Sequence, residues 1–190
     1  MVRWQPNARG RLEEAALELY AERGFDRTTV AEIAERAGLT ERTFFRHFGD
    51  KREVLFGGED ALIDVLVTPV VAAHPSESPM SAVGAGLIAV GRFFEDRHAR
   101  ARQRQAVIAA TPALQERELM KLVSLVTALT EALGRRGVAA STARLAAEFG
   151  IAVFKVAFER WADGDDGGSW EVIVSELLDE LSALTTTPRR

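Results

Sequence analysis

Residues 28–56 read TTVAEIAERAGLTERTFFRHFGDKREVLF. This stretch predicts two short helices joined by a tight turn. Thr29 and Glu32 have the spacing of a capping box, in which each side chain accepts a hydrogen bond from the other residue's backbone N–H. Gly38 can take the left-handed conformation that ends a helix, and Thr40 can cap the helix that follows. The pattern therefore predicts a helix-turn-helix unit.

The helical period continues through the rest of the chain. Apolar residues recur every three or four positions, as they do in amphipathic helices, and no useful stretch alternates as a strand does. We predict an all-α fold of about nine helices, at about 8–23, 30–37, 40–48, 51–66, 80–97, 99–110, 112–136, 141–163 and 169–184. The Pro- and Ser-rich segment HPSESPM at 74–80 predicts a linker.

The composition argues against some functions but does not identify one. The 190 residues carry 24 basic and 28 acidic side chains, a formal net charge of −4, which argues against binding nucleic acid by bulk positive charge. Residues 1–56 carry ten basic and ten acidic residues. Any nucleic-acid function of this part must therefore depend on where a few charges are placed.

The residue types present exclude several other classes of protein. No cysteine occurs, so disulfides, thiolate metal sites and cysteine nucleophiles are ruled out. No uncharged apolar run reaches the roughly 18 residues of a membrane span, and the N-terminus lacks the apolar segment of a signal peptide. With three histidines and no phosphate-binding glycine loop, we expect a cytoplasmic, soluble protein that is not an enzyme and holds no metal or cofactor.

The second helix of the pair divides its side chains between two faces. At about 100° per residue, one face carries Arg42, Thr43, Arg46 and His47, and the other carries Phe44, Phe45 and Phe48. An apolar back can pack on neighbouring helices, while a hydrogen-bonding front suits the major groove of DNA. There, arginine can donate two bonds to guanine and threonine can contact a thymine methyl. The alternative interpretation is an ordinary solvated helix.

The stretch as a whole resembles the DNA-binding segment of the TetR family of bacterial transcriptional regulators. The resemblance covers residues 8–56. It is carried by elements in a fixed order: Gly24-Phe25, Thr28-Thr29, Ile33-Ala34, Ala37-Gly38, Phe48, Lys51 and Leu55.

The resemblance implies a role for individual residues. Thr28 and Thr29 are expected to contact phosphates, Arg42, Thr43 and Arg46 to read bases, and His47 and Lys51 to hold the DNA backbone. Phe45 stands where the family usually has tyrosine, so one phosphate bond, worth about 1 kcal/mol, is expected to be missing. The predicted DNA-contacting set is Thr28, Thr29, Thr40, Arg42, Thr43, Phe45, Arg46, His47 and Lys51.

Members of this family act as two-fold homodimers, and the last two helices give a reason here. They carry apolar residues on nearly every side, so neighbours must cover them all round. The predicted dimer interface comprises Phe149, Val153, Val156, Arg160, Trp170, Ile173, Val174, Leu177 and Leu181. A purely monomeric core is the alternative. Two identical DNA-binding heads predict a palindromic double-stranded operator.

The resemblance also implies a small effector molecule bound by the C-terminal part. Arginine-rich residues 92–104 could bind an anion, and phenylalanines could line an apolar cavity, which would suit an acyl-CoA or another anionic amphipath. The predicted ligand-binding set is Phe93, Arg97, Arg100, Arg104, Met120, Phe149 and Phe154. A solvated basic edge beside a packed core is the alternative.

Together these features predict two domains and a function. Residues 1–56 are expected to bind DNA, and residues 57–190 to bind the effector and dimerise. The expected protein is a ligand-responsive dimeric regulator, a repressor that a small molecule releases from its operator. The alternative is an all-α dimeric ligand-binding or scaffold protein whose N-terminal helices contact other proteins.

Overall fold

The computed structural model describes residues 7–94, 97–164 and 168–185. Within these ranges every regular element is helical, which confirms the all-α prediction. One short 3-10 turn occurs at Glu53–Leu55. The α-helices are α1 (Ala8–Arg23), α2 (Val30–Arg36), α3 (Glu41–His47), α4 (Glu59–Ala72), α5 (Pro79–Ala89), α6 (Gly91–Phe94), α7 (His98–Ala109), α8 (Pro112–Arg135), α9 (Ala140–Asp163) and α10 (Trp170–Thr185).

The described residues up to Gly58 pack with Arg102–Leu119 into one compact unit, here called the head. Helix α3 packs on α1 and α2, and its Phe44 is fully buried. Truncating such a phenylalanine to alanine costs about 3–5 kcal/mol. The head therefore takes residues from both sides of the predicted boundary at residue 56, including the fully buried Leu114 from α8.

Residues Glu59–Ala101 and the described residues from Met120 onward form a second compact unit, here called the body. Its central helix α5 packs against α4, α9 and α10. Two glycines allow the close approach: a Cβ on Gly86 would collide with the Leu66 carbonyl oxygen, and one on Gly150 with the Val83 side chain. Helix α9 contributes ten buried residues to this core.

Two predicted helices have different bounds in the structure. The predicted helix 51–66 is replaced by the 3-10 turn and by α4, which begins at Glu59, because Gly58 takes a left-handed conformation with φ of +93°. The predicted helix 80–97 divides into α5 and α6, and residues 95 and 96 lie outside the described ranges.

None of the helices in the described ranges combines the length and the apolar character that crossing a bilayer requires.

Candidate nucleic-acid interface

Local hydrogen bonds set the direction of α3. Thr29 Oγ1 accepts from the Glu32 N–H at 3.3 Å, and Glu32 Oε2 accepts from the Thr29 N–H at 2.8 Å, so the predicted capping box is present. Gly38, with φ of +62°, ends α2, and Thr40 Oγ1 accepts from the Thr43 N–H at 3.2 Å to begin α3. The bonds from the Thr29 N–H and hydroxyl lower the pKa of Glu32. The capping carboxylate therefore stays ionised.

Helix α3 exposes a different set of side chains from the one predicted. Phe44 and Phe48 are buried, whereas Phe45 is 55% exposed. Arg42 and Arg46 are exposed beside it. Only the side of this seven-residue helix that meets α1 and α2 is covered, so the apolar back is narrower than the helical period suggested. The outward face, here called the α3 face, consists of Arg42, Phe45 and Arg46, with Thr43 half-buried at its edge.

Thr28 has an internal role. Its side chain is 1% exposed, and its hydroxyl donates to the Gly24 carbonyl oxygen at 2.9 Å. Its N–H donates to the Phe25 carbonyl oxygen at 3.2 Å. The hydroxyl and the N–H with which Thr28 could have contacted a phosphate are therefore both engaged inside the head. The structure corrects this prediction, while exposed Thr29 and Thr40 keep their predicted roles as predictions.

Lys51 is also tied to the protein itself. Its Nζ donates to the carbonyl oxygens of Phe25 at 2.9 Å and Thr28 at 3.0 Å, with Asp26 at 3.4 Å. The ammonium lies 4.3 Å from the centroid of the Phe25 ring. Because an ammonium has three N–H donors, these bonds use its capacity. Lys51 joins the segment after α3 to the turn before α2, which differs from its predicted role on the DNA backbone.

His47 faces inward more than predicted. Its Nε2 atom is buried and has no hydrogen-bond partner among the described residues. The ring centroid lies 6.3 Å from that of Phe48. A phosphate contact by this residue would therefore have to use Nδ1.

The Phe56 ring, in the segment that follows α3, contacts the guanidinium groups of two arginines. The Cζ atoms of Arg104 and Arg117 lie 4.9 and 4.7 Å from the centroid of Phe56. Arg104 Nε donates to the Leu55 carbonyl oxygen at 2.8 Å, and its Nη2 lies 2.6 Å from Glu118 Oε2. We call this group the Phe56 clamp.

The clamp has a second ion pair, between Arg117 and Glu53. Arg117 Nε and Nη2 donate to the two carboxylate oxygens of Glu53 at 2.7 and 3.1 Å. The partners come from positions 64 residues apart in the chain, so no local pattern could have revealed them. Arg104, predicted to bind an effector, instead holds the head together.

Two further groups stabilise the same segment. Burial raises the pKa of Tyr20, so its hydroxyl stays protonated and donates to the Lys51 carbonyl oxygen at 2.5 Å. At Asp50, burial opposes ionisation, but hydrogen bonds from the Arg52 guanidinium and from the N–H groups of Glu53 and Arg52 outweigh it. The net result is a lowered pKa for Asp50.

The predicted dimer residues differ in how far they are exposed. Phe149 and Val156 on α9 are 41% and 43% exposed, and Leu145 on the same side is 58% exposed. We call these three residues the α9 face. Val153, Trp170, Val174 and Leu177 are instead buried in the core of their own chain, so they are corrected: they have no free surface to offer a partner. Arg160 pairs with Glu176 at 2.9 Å, and Ile173 and Leu181 are half-buried.

The predicted ligand-binding residues differ in their surroundings. Phe154 is buried in a cluster of aromatic rings, stacked 6.4 Å from Phe94. Met120 and Phe149 point outward with large exposed fractions. Arg97 lies 4.8 Å from the Phe93 ring, and exposed Arg100 stays a prediction.

Comparison with known proteins gives two family matches. The model of bacterial regulatory proteins of the TetR family matches residues 12–56. The model of the MftR C-terminal domain matches residues 77–186, which is more than half of the chain.

Curated relatives are regulators of the same kind. The transcriptional regulator TcmR of Streptomyces glaucescens is 35% identical over 82 residues, which are 43% of this chain and 36% of TcmR. MftR of Mycobacterium tuberculosis, named as a mycofactocin biosynthesis transcriptional regulator, is 32% identical over 104 residues, 55% of this chain and 52% of MftR. The chain thus spans about a third of the length of TcmR and about half of the length of MftR. Their names agree with the prediction that the chain is not an enzyme.

A solved structure shares the fold. FadR of Thermus thermophilus, a TetR-family transcriptional repressor in complex with lauroyl-CoA, aligns with a TM-score of 0.57 and 22% identity, covering 96% of this chain and 97% of FadR. The fold, the helix-turn-helix geometry and the two family matches agree. The chain belongs to the TetR family of bacterial regulatory proteins and carries a C-terminal part of the MftR type.

Proposed function

We propose that this protein is a dimeric DNA-binding transcriptional regulator, and specifically a repressor that a small molecule releases from a palindromic operator. The observation that carries the proposal is that the guanidinium groups of Arg42 and Arg46 are exposed and, within the part of the chain that the structure describes, unpaired. Both are exposed on α3 and have no ion-pair or hydrogen-bond partner among the described residues. Exposed Arg23, Arg36 and Arg52 in the same head all pair with carboxylates. Both guanidinium groups on α3 are therefore available to a ligand.

Base reading by these arginines follows from their chemistry. A guanidinium can donate two parallel hydrogen bonds to guanine O6 and N7 in the major groove. The buried Phe44 anchors α3 in the head, so both guanidinium groups project from a helix whose position is fixed. Because the N-terminal part carries equal numbers of basic and acidic residues, non-specific attraction to phosphates should be weak. Useful affinity then depends on engaging two half-sites at once.

The α9 face supports a homodimer. Leu145, Phe149 and Val156 follow one another at spacings of four and seven residues, so they form a single stripe along the helix. TetR-family regulators bind DNA as dimers, and a second copy of this face would cover the stripe. An isologous two-fold contact of this kind presents two identical heads to an operator of matching symmetry.

The effector is proposed to be an anionic amphipath such as an acyl-CoA. Arg97 beside Phe93 combines a cation with an apolar ring, and the FadR structure of similar fold holds lauroyl-CoA. Thermal denaturation with acyl-CoAs of increasing chain length tests this class. A rise in the melting temperature that varies with chain length supports it, and no shift at any length removes it.

Selection from random duplex DNA tests the DNA-binding proposal. The full-length protein should enrich a palindromic sequence, which is then bound in fluorescence anisotropy titrations. The double variant Arg42→Ala/Arg46→Ala should weaken binding at least tenfold, since a bidentate base contact is worth about 1–3 kcal/mol. Arg144→Ala is the matched control, because Arg144 is an exposed arginine on α9 paired with Glu148.

Two outcomes would contradict the proposal. Failure to enrich any sequence would favour a protein-binding role for the N-terminal helices. Equal affinities for the double variant and the native protein would mean that the α3 face does not read bases.

A further inference from the structure

Phe45 is exposed where the rest of the α3 aromatic set is buried. The ring is 55% exposed, whereas Phe44 and Phe48 are 0% and 4% exposed. It lies on the same outward face as Arg42 and Arg46. Nothing in the fold requires an apolar ring at this point, because the helix is already seated through Phe44.

The Phe45 ring is nevertheless held in place. It packs edge-on against Phe44, with centroids 5.5 Å apart and an interplanar angle of 81°. Since Phe44 is itself fully buried, the exposed ring rests on a rigid support. A side chain that is both exposed and supported is suited to a contact with a partner.

We propose that Phe45 is a specificity-determining residue that recognises thymine through its C5-methyl group. The inference rests on the proposed DNA-binding function and names one base that the α3 face reads. A phenyl ring has no hydrogen-bond donor or acceptor, so it cannot bond a phosphate oxygen or the polar edge of a base. The thymine methyl is the apolar feature among the base edges of the major groove.

The flanking charges favour this assignment. Arg42 and Arg46 lie three positions before and one position after Phe45, and both are free to bind guanine. When they engage the groove, the ring beside Arg42 is brought to the same surface. The operator half-site should therefore contain a thymine adjacent to the guanine that an arginine contacts.

Replacing single thymines by deoxyuridine gives a direct test. The change removes only the methyl group and keeps both the base pairing and the polar edge. The operator selected with the native full-length protein is substituted at one thymine at a time, and the Kd is measured by anisotropy. At one thymine in each half-site the native protein should lose about three- to fourfold in affinity, the factor expected for one buried methyl-sized group.

Variants at position 45 test whether the loss of affinity with deoxyuridine depends on the Phe45 side chain. Phe45→Leu keeps an apolar side chain and should retain the penalty for deoxyuridine at that thymine. In Phe45→Ala the penalty should disappear, while penalties at other thymines stay as they were. The melting temperature of Phe45→Ala should match that of Val172→Ala, which removes apolar atoms from another exposed site.

Each other result overturns the inference. A penalty that persists in Phe45→Ala but disappears in Thr43→Ser would assign the methyl contact to Thr43. The absence of any penalty would mean that the ring contacts no thymine, although sequence-specific binding itself would stand. Failure of the native protein to select any DNA would overturn both this inference and the proposed function.

Discussion

The α3 face and the α9 face are both outward sides of helices, but they are supported in different ways. Helix α3 has seven residues and buries Phe44 alone. Helix α9 has 24 residues and buries ten. The α3 face presents two arginines around one ring, whereas the α9 face presents Leu145, Phe149 and Val156.

The contrast shows what a short helix needs in order to present side chains at a fixed angle. One buried ring anchors α3, and polar bonds from Thr40, Lys51 and the Phe56 clamp add to the apolar packing of the neighbouring segments. The orientation of helix α9, in contrast, is fixed by the packing of its ten buried residues. We therefore expect the head to be sensitive to the loss of charged contacts, and the α9 face to be sensitive to the gain of a charge.

The largest effect is expected from a charge on the α9 face. Phe149→Glu should convert the dimer into monomers, because a carboxylate would be buried without a partner at the two-fold contact. Affinity for the operator should fall about 100-fold or more, since each head would then bind its half-site alone. Sedimentation velocity and anisotropy measure the two effects. Leu184→Glu, at a residue 84% exposed on α10, is the control. A Phe149→Glu protein that remains dimeric would remove the α9 face from the interface.

The Phe56 clamp should be the most sensitive polar contact of the head. Arg104→Met keeps an apolar stem but removes the bonds to the Leu55 carbonyl and to Glu118, both of them largely shielded from water. The free energy of unfolding should fall by about 1–3 kcal/mol, as for buried hydrogen bonds to charged groups. Arg52→Met breaks an exposed pair with Asp50 and should cost less than about 1 kcal/mol. Equal losses in urea denaturation would show that the clamp contributes no more stability than an exposed ion pair.

Substitution of Lys51 distinguishes a structural role inside the head from a contact with the DNA backbone. If it holds the carbonyl oxygens of Phe25 and Thr28, Lys51→Met should lower the free energy of unfolding by about 1–2 kcal/mol. The salt dependence of operator binding should then stay unchanged. If it neutralises a phosphate instead, the slope of log Kd against log salt should fall by about one unit. Lys155→Met, on the exposed side of α9, controls for the loss of one positive charge.

The smallest effect concerns the acid stability of the head. The pKa of Asp50 is lower in the folded protein than its ordinary value, so the unfolded chain binds the proton more tightly. The resulting stabilisation is present above the ordinary pKa of about 3.9 and is lost as the pH falls through the folded value. The melting temperature of Asp50→Asn should lie slightly below that of the native protein at pH 7, and the gap should narrow as the pH falls below the ordinary pKa of an aspartate. A gap that is the same above and below that pKa would contradict this.

Local chemistry predicted the parts of the interface that depend on neighbouring residues. The Thr29–Glu32 capping box, the Thr40 cap and the left-handed Gly38 are all present as expected. Each involves a single residue or a pair three positions apart. Thr28 and Lys51 were assigned to DNA on the family resemblance. Their internal roles were not predicted, because their carbonyl partners lie in a turn whose path the local pattern does not specify.

The rotation of a helix about its axis was harder to predict. Helix α10 is apolar on several sides, so its pattern could not distinguish residues facing the core from residues facing a partner. The structure turns Trp170, Val174 and Leu177 inward, and the Trp170 indole N–H donates to the Leu87 carbonyl oxygen at 2.7 Å. That bond joins positions 83 residues apart, a separation that no helical period reports.

The sequence by itself determined where most helices begin and end, that α3 has a buried aromatic back and a basic front, and that the chain resembles TetR-family regulators. These features depend on hydrogen bonds and side-chain spacing within one helical turn. Only the tertiary structure decided that Lys51 and Arg104 are engaged internally, that the α9 face is free, and that Phe45 stands outside the core. The reason is that burial and ion pairing depend on which distant segments cover a side chain, and that is settled only when the helices pack together.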